Sequence, residues 1–126
     1  MAKADRRPPV AVGHVFLEAS DVAAAARWFA SVGLRPIADD ADFAVLELRG
    51  GTHLVISHAP RNKRAGAEAP FDLMVDDVDR ARRGFAAKGM KPSRIRRGYI
   101  HDSFTLRGPD GYKLSVVSSH AGRRAV

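Results

Sequence analysis

Apolar and polar positions along this chain follow a pattern that is written twice. The stretch LEASDVAAAARWFASVGLRP (17–36) aligns with LMVDDVDRARRGFAAKGMKP (73–92) without a gap, at an offset of 56, with nine identities in twenty positions. Each copy opens on an apolar strand, 10–18 and 71–75, that runs into Ser20-Asp21 or Asp76-Asp77. A side-chain oxygen there suits a helix N-cap. The helix that follows carries Val22, Ala25, Ala26, Phe29 and Val32 on one face, with Val78, Ala81 and Phe85 as counterparts. Gly33 and Gly89 stand where a glycine ends a helix, and Pro36 and Pro92 prevent its continuation.

Three strands are expected after each helix: 34–38, 43–48 and 53–57, then 91–97, 103–107 and 112–118. Pro109-Asp110-Gly111 closes the last hairpin, with proline fixing φ and glycine free to take a positive one. The apolar-poor stretch APRNKRAGAEAP reads as a linker. The pattern predicts an α+β domain of two tandem βαβββ modules, one over 10–58 and one over 71–118. Residues 59–70 join them, with flexible tails at 1–9 and 119–126. One helix covers one face of each sheet, so the opposite face awaits the other module, a second chain or a ligand. Curved mixed sheets facing each other would enclose a cleft.

Composition narrows the classes. A chain of 126 residues suits one domain, 45% apolar residues are ordinary for a soluble one, and no apolar run approaches a membrane span. Met1-Ala2-Lys3-Ala4-Asp5 does not read as a signal peptide. With no cysteine there is no disulfide and no thiolate chemistry, which suits the cytoplasm. Lys plus Arg number 21 against 14 for Asp plus Glu, a net +7 that favours anionic partners. Nucleic acid is disfavoured, because the basic residues are scattered and include Lys3, Arg6, Arg7, Arg123 and Arg124 in the tails. Arg80, Arg82 and Arg83 stand beside Asp77 and Asp79, and aromatic residues are not interleaved with basic ones.

The double pattern resembles the vicinal oxygen chelate superfamily, which includes glyoxalase I, extradiol dioxygenases, fosfomycin-resistance transferases and bleomycin-resistance proteins. GHVFLEASDVAAAARWFASVGL, FDLMVDDVDRARRGFAAKGM and, most specifically, DSFTLRGPDGYKLSV carry the resemblance over residues 10–118. Metal-using members hold a divalent ion on His in the first strand of each copy and Glu or His in the last. Carried onto this chain, His14 matches the first ligand, while the repeat offset puts Pro70 at its counterpart. The last strands supply Ser57, with His58 on the opposite face, and Ser115 where the family has a carboxylate. Serine and proline do not replace carboxylate and imidazole at a transition metal. The resemblance, with these departures, implies a member without metal or other cofactor, closest in type to metal-free bleomycin-resistance-like proteins.

Strand alternation then selects the cleft lining. His14, Ser57, Ser103, Thr105 and Ser115 would supply hydrogen bonds, with His101 near them, and Phe16, Val55, Met74 and Val117 apolar walls. His53 shares a face with Ser57, but at a strand start it reads as a solvated rim residue, and His58 and His120 carry no signal. Trp28 and Phe29 read as core or subunit contact, and the IRR run (95–97) with Tyr99 as a strand edge guarded by charge. Neither a phosphate loop nor a nucleophile elbow is present.

The leading expectation is a homodimer binding a small anionic or neutral aromatic molecule without transforming it. Cationic bleomycin is disfavoured by the net charge. The alternative is a glyoxalase- or dioxygenase-like enzyme with an atypical metal site, or metal-free acid–base catalysis by His14. Nucleic-acid binding through a basic surface stands third.

Overall fold

The computed structural model describes residues 4–119, 122 and 124–126. The expected tails fall in part on residues 1–3, 120, 121 and 123, which lie outside the described residues. The first module runs β1 (His14–Ala19), α1 (Val22–Val32), β2 (Arg35–Asp39), β3 (Phe43–Glu47) and β4 (His53–His58). The second runs β5 (Leu73–Val75), α2 (Val78–Ala87), β6 (Ser103–Arg107) and β7 (Lys113–Ser118). Sheet A has the order β1-β4-β3-β2 and sheet B the order β5-β7-β6. In each, the first strand lies parallel to the last, which is central.

Local chemistry sets the helix ends. The Asp21 and Asp77 side chains accept from the backbone N–H of Ala24 and Arg80, each at 3.0 Å, satisfying amides that lack an intrahelical partner. Gly33 ends α1 with φ 122, and its N–H turns back to Ala30 O. Alternation then divides each strand. Leu17, Ala19, Ala44, Leu46, Leu54 and Ile56 are buried under Phe29 and Val22 of α1. Phe104, Leu106, Leu114 and Val116 do the same with Phe85 and Val78 of α2.

Two expectations are corrected. The first strand begins at His14, and residues 10–13 before it are irregular, with Val10 80% exposed. No strand forms over 91–97, so sheet B has three strands. Lys91 adopts φ 53, which breaks the extended run, and Pro92 has no N–H to offer a ladder. What survives is Ser93 N–H to Thr105 O and a reciprocal Arg96–Ser103 pair. Arg82 of α2 binds the carbonyls of Pro92 and Ser93 and holds this segment against the module. In sheet A the matching Pro36 is accommodated on edge strand β2, where the register shifts between Pro36 and Ala38.

The modules are joined where α1 and the β1–α1 turn meet the linker and the hairpin between β6 and β7. The Trp28 ring lies over Gly108, where an added Cβ would stand 3.4 Å from it, and packs edge-on against Phe29. The linker contributes Asn62, whose amide donates to Glu18 O, to Asp110 Oδ2 and to the Tyr112 hydroxyl. Asp110 also accepts from the backbone N–H and hydroxyl of Ser20. Burial pushes the Asp110 carboxyl up, but the hydrogen bonds from Asn62 and Ser20 together outweigh it and hold the group below the usual aspartate range.

Candidate functional site

With the helices on one side, each sheet turns its other face outward. Cross-strand register orders these faces into rungs. On sheet A, His14 stands opposite His53, His53 opposite Glu47, and Glu47 opposite Arg35, so four strands contribute one polar rung. The next rung is Phe16, Val55, Val45 and Ala38, all apolar. The third is Glu18, Ser57 and Phe43. Phe16 is 64% exposed, which leaves a large apolar ring facing outward.

The polar rung is connected by contacts. The rings of His14 and His53 are 5.9 Å apart, and His14 stacks on Phe16 with centroids 6.1 Å apart. His53 Nε2 is 3.2 Å from Glu47 Oε2, and Arg35 donates to Glu47 Oε1. An ionised carboxylate only accepts, so in the neutral imidazole Nε2 carries the proton and Nδ1 the lone pair.

Sheet B presents hydroxyls and cations. Met74, Val117 and Ser103 form one rung, Ser115 and Thr105 the next, and Lys113 and Arg107 the last. Met74 is 49% exposed. Between the modules, Phe16, Glu18, Ser57, Arg64, Pro70 and Tyr112 line a cleft of about 300 Å3 that opens beside β1.

The sequence-derived lining residues are thus gathered in two sets. His14, Phe16, Val55 and Ser57 share the outward face of sheet A; Met74, Ser103, Thr105, Ser115 and Val117 share that of sheet B. His14 and Ser57 are two rungs apart, about 13 Å along the strand, since Ser57 lies opposite Glu18. His101 sits exposed in the loop before β6. Glu47, Arg35 and the pairing of His53 were not foreseen. Alternation marks which face a residue takes, but only register places His53 between His14 and Glu47.

The donor set does not fit a family-type metal centre. His14 and its strand neighbour His53 offer imidazoles, but Ser57, Pro70 and Ser115 offer no carboxylate or imidazole. Among the described residues, no three His, Cys, Asp or Glu side chains converge as metal ligands. None of their helices is long and apolar enough to cross a membrane.

The family model for the glyoxalase-like domain matches residues 14–117. This chain belongs to the glyoxalase-like family. Through it, the chain falls in the vicinal oxygen chelate superfamily. No curated protein matches this glyoxalase-like chain in sequence. Its fold is similar to that of lactoylglutathione lyase from Agrobacterium tumefaciens, with a TM-score of 0.73, 21% identity, and 93% of this chain and 99% of that one covered. It is also similar to the bleomycin resistance determinant encoded on transposon Tn5, with a TM-score of 0.69, 18% identity, and coverage of 87% and 98%. A third similar structure is the bleomycin-binding protein of Streptomyces verticillus in complex with copper(II)-bleomycin. There the TM-score is 0.68, identity 22%, and coverage 90% and 99%. At these identities the likeness establishes the fold, and function has to be argued from the site.

Proposed function

We propose that this glyoxalase-like protein binds a small, neutral or anionic aromatic molecule on the outward face of sheet A, without a metal and without transforming it. The observation that carries this reading is the apolar rung of Phe16, Val55 and Val45, with polar side chains on the rungs to either side. A planar ring can lie on the apolar rung while its polar substituents meet His14, His53 or Ser57. Metal independence is supported by the donors missing at Ser57, Pro70 and Ser115.

The site is completed by a second copy. Phe16 and Met74 remain exposed on faces of different sheets, and the sheet B face offers hydroxyls and cations where sheet A offers Glu18, Glu47 and aromatic rings. A homodimer that sets sheet A of one protomer against sheet B of its partner covers both. We place the protein in the cytoplasm, in keeping with a chain that has no cysteine. A second reading, acid–base catalysis, is supported by the contact between His53 and Glu47, which orients an imidazole beside His14.

A thermal-shift screen of neutral and anionic aromatic compounds tests the reading, together with light scattering. Hits are expected whose shift is lost in Phe16→Ala and weakened in His14→Ala and Ser115→Ala, on a dimeric protein. Absence of any aromatic hit, or hits indifferent to all three substitutions, overturns it. Turnover of a hit that stops in His53→Ala would replace it with the enzyme reading.

A further inference from the structure

Glu47 is held from two sides, by His53 at one oxygen and Arg35 at the other. Its charge is thereby matched within the rung, and its hold on His53 sets which nitrogen of the imidazole faces a visitor. With Nε2 engaged, Nδ1 is the ring atom left with a lone pair, on a side chain that is 33% exposed. No other side-chain hydrogen bond to His53 occurs among the described residues. His14, beside it, has no such fixing partner among the described residues, so it can donate or accept and does not discriminate. The next rung is apolar, so a ring lying on Phe16 and Val55 brings its substituent to His53.

Resting on the reading of this face as a small-molecule site, we infer that His53 selects its ligand. The preferred ligand is an uncharged planar compound presenting an O–H or N–H to His53 Nδ1, with Glu47 as the positioning residue. A carboxylate at the same place has no proton to donate, so it meets the Nδ1 lone pair without a hydrogen bond. An ether in place of the hydroxyl leaves the nitrogen unpaired once water is displaced.

Three probes of one shape separate these cases: 2-naphthol, 2-methoxynaphthalene and 2-naphthoate, titrated by fluorescence at pH 8, above the range where imidazoles ordinarily titrate. The naphthol is expected to bind about five- to ten-fold tighter than the ether, although the ether is the more apolar. It should also bind tighter than the naphthoate, and His53→Leu should remove both preferences. Nitrogen-15 shifts of the His53 ring should report the Nε2–H tautomer in the unmodified protein and a mixture in Glu47→Leu. Equal affinity for naphthol and ether, a preference that persists in His53→Leu, or an Nδ1–H tautomer overturns the inference and leaves the binding face standing. If none of the three binds at millimolar concentration, the reading of the face as an aromatic site falls too. The unmodified protein decides the ranking by itself, so the outcome does not depend on either variant folding.

Discussion

Asn62 donates a 2.7 Å hydrogen bond to the carboxylate of Asp110, binding the linker to the last hairpin of the second module. The same amide reaches Glu18 O at 3.1 Å, so one side chain bridges both modules. Asn62→Ala is expected to cost about 1–3 kcal/mol, because it strips a partner from a carboxylate and from Tyr112, which is 2% exposed. Denaturant unfolding checks it, and a change below half a kilocalorie would remove the bridge from the account.

The same contact makes stability depend on acid. Asp110 titrates below the usual range when folded, so the unfolded chain takes up its proton first. Its contribution is complete above the unfolded value, about pH 4, and is lost as pH falls through the folded one. Melting temperature should therefore drop as pH falls below about 4, and drop less steeply in Asp110→Asn. Parallel slopes for the two proteins would contradict the assignment.

Two phenylalanines should behave oppositely. Phe29 is buried at the centre of the α1 interface, and Phe29→Ala should destabilise by about 3–5 kcal/mol. Phe16 faces outward, and Phe16→Ala should change stability by less than about 0.5 kcal/mol while abolishing the binding of aromatic compounds. Chemical denaturation of both variants, beside one ligand titration, separates core from site.

Gly84 lies within α2, and an added Cβ would meet nothing within 4 Å. Its φ is not positive, so alanine fits without strain. Gly84→Ala should stabilise the protein by about 0.5–1 kcal/mol through the unfolded chain's lost freedom. A destabilised variant would show that a copy of the chain or another molecule packs on that helix face.

Chelator treatment is expected to leave melting temperature and ligand affinity unchanged, since Ser57, Pro70 and Ser115 supply no charged donor. Elemental analysis finding one transition metal per chain, lost on His14→Ala, would reverse this.

The caps at Asp21 and Asp77, the stop at Gly33 and the burial of Leu114 and Val116 were legible because each depends on its own few neighbours. The strand expected over 91–97 was not, because the repeat transferred Pro36 onto Pro92 while hiding that only the first sheet absorbs its proline with a register shift. The site was half legible. Alternation put His14, Phe16 and Ser57 on one face, but which residues share a rung depends on how β1, β3 and β4 slide against one another. That is decided by packing between distant segments. His53 was therefore visible as a residue, while Glu47 and the pairing between them were not.

Strand order also has a consequence for how the protein comes to be competent. β1 pairs within its sheet only with β4, the last strand of the module, which must lodge between it and β3. A chain in which β4 has not yet inserted can already hold α1 and the β2–β3 hairpin, whose contacts are local and fast to form. It has no face on which His14 meets His53, because closing that loop is the least local step in the module. Recognition of a ligand should thus switch on with topological completion rather than grow with secondary structure. A bound probe would mark the completion of this sheet, after helical signal has already returned.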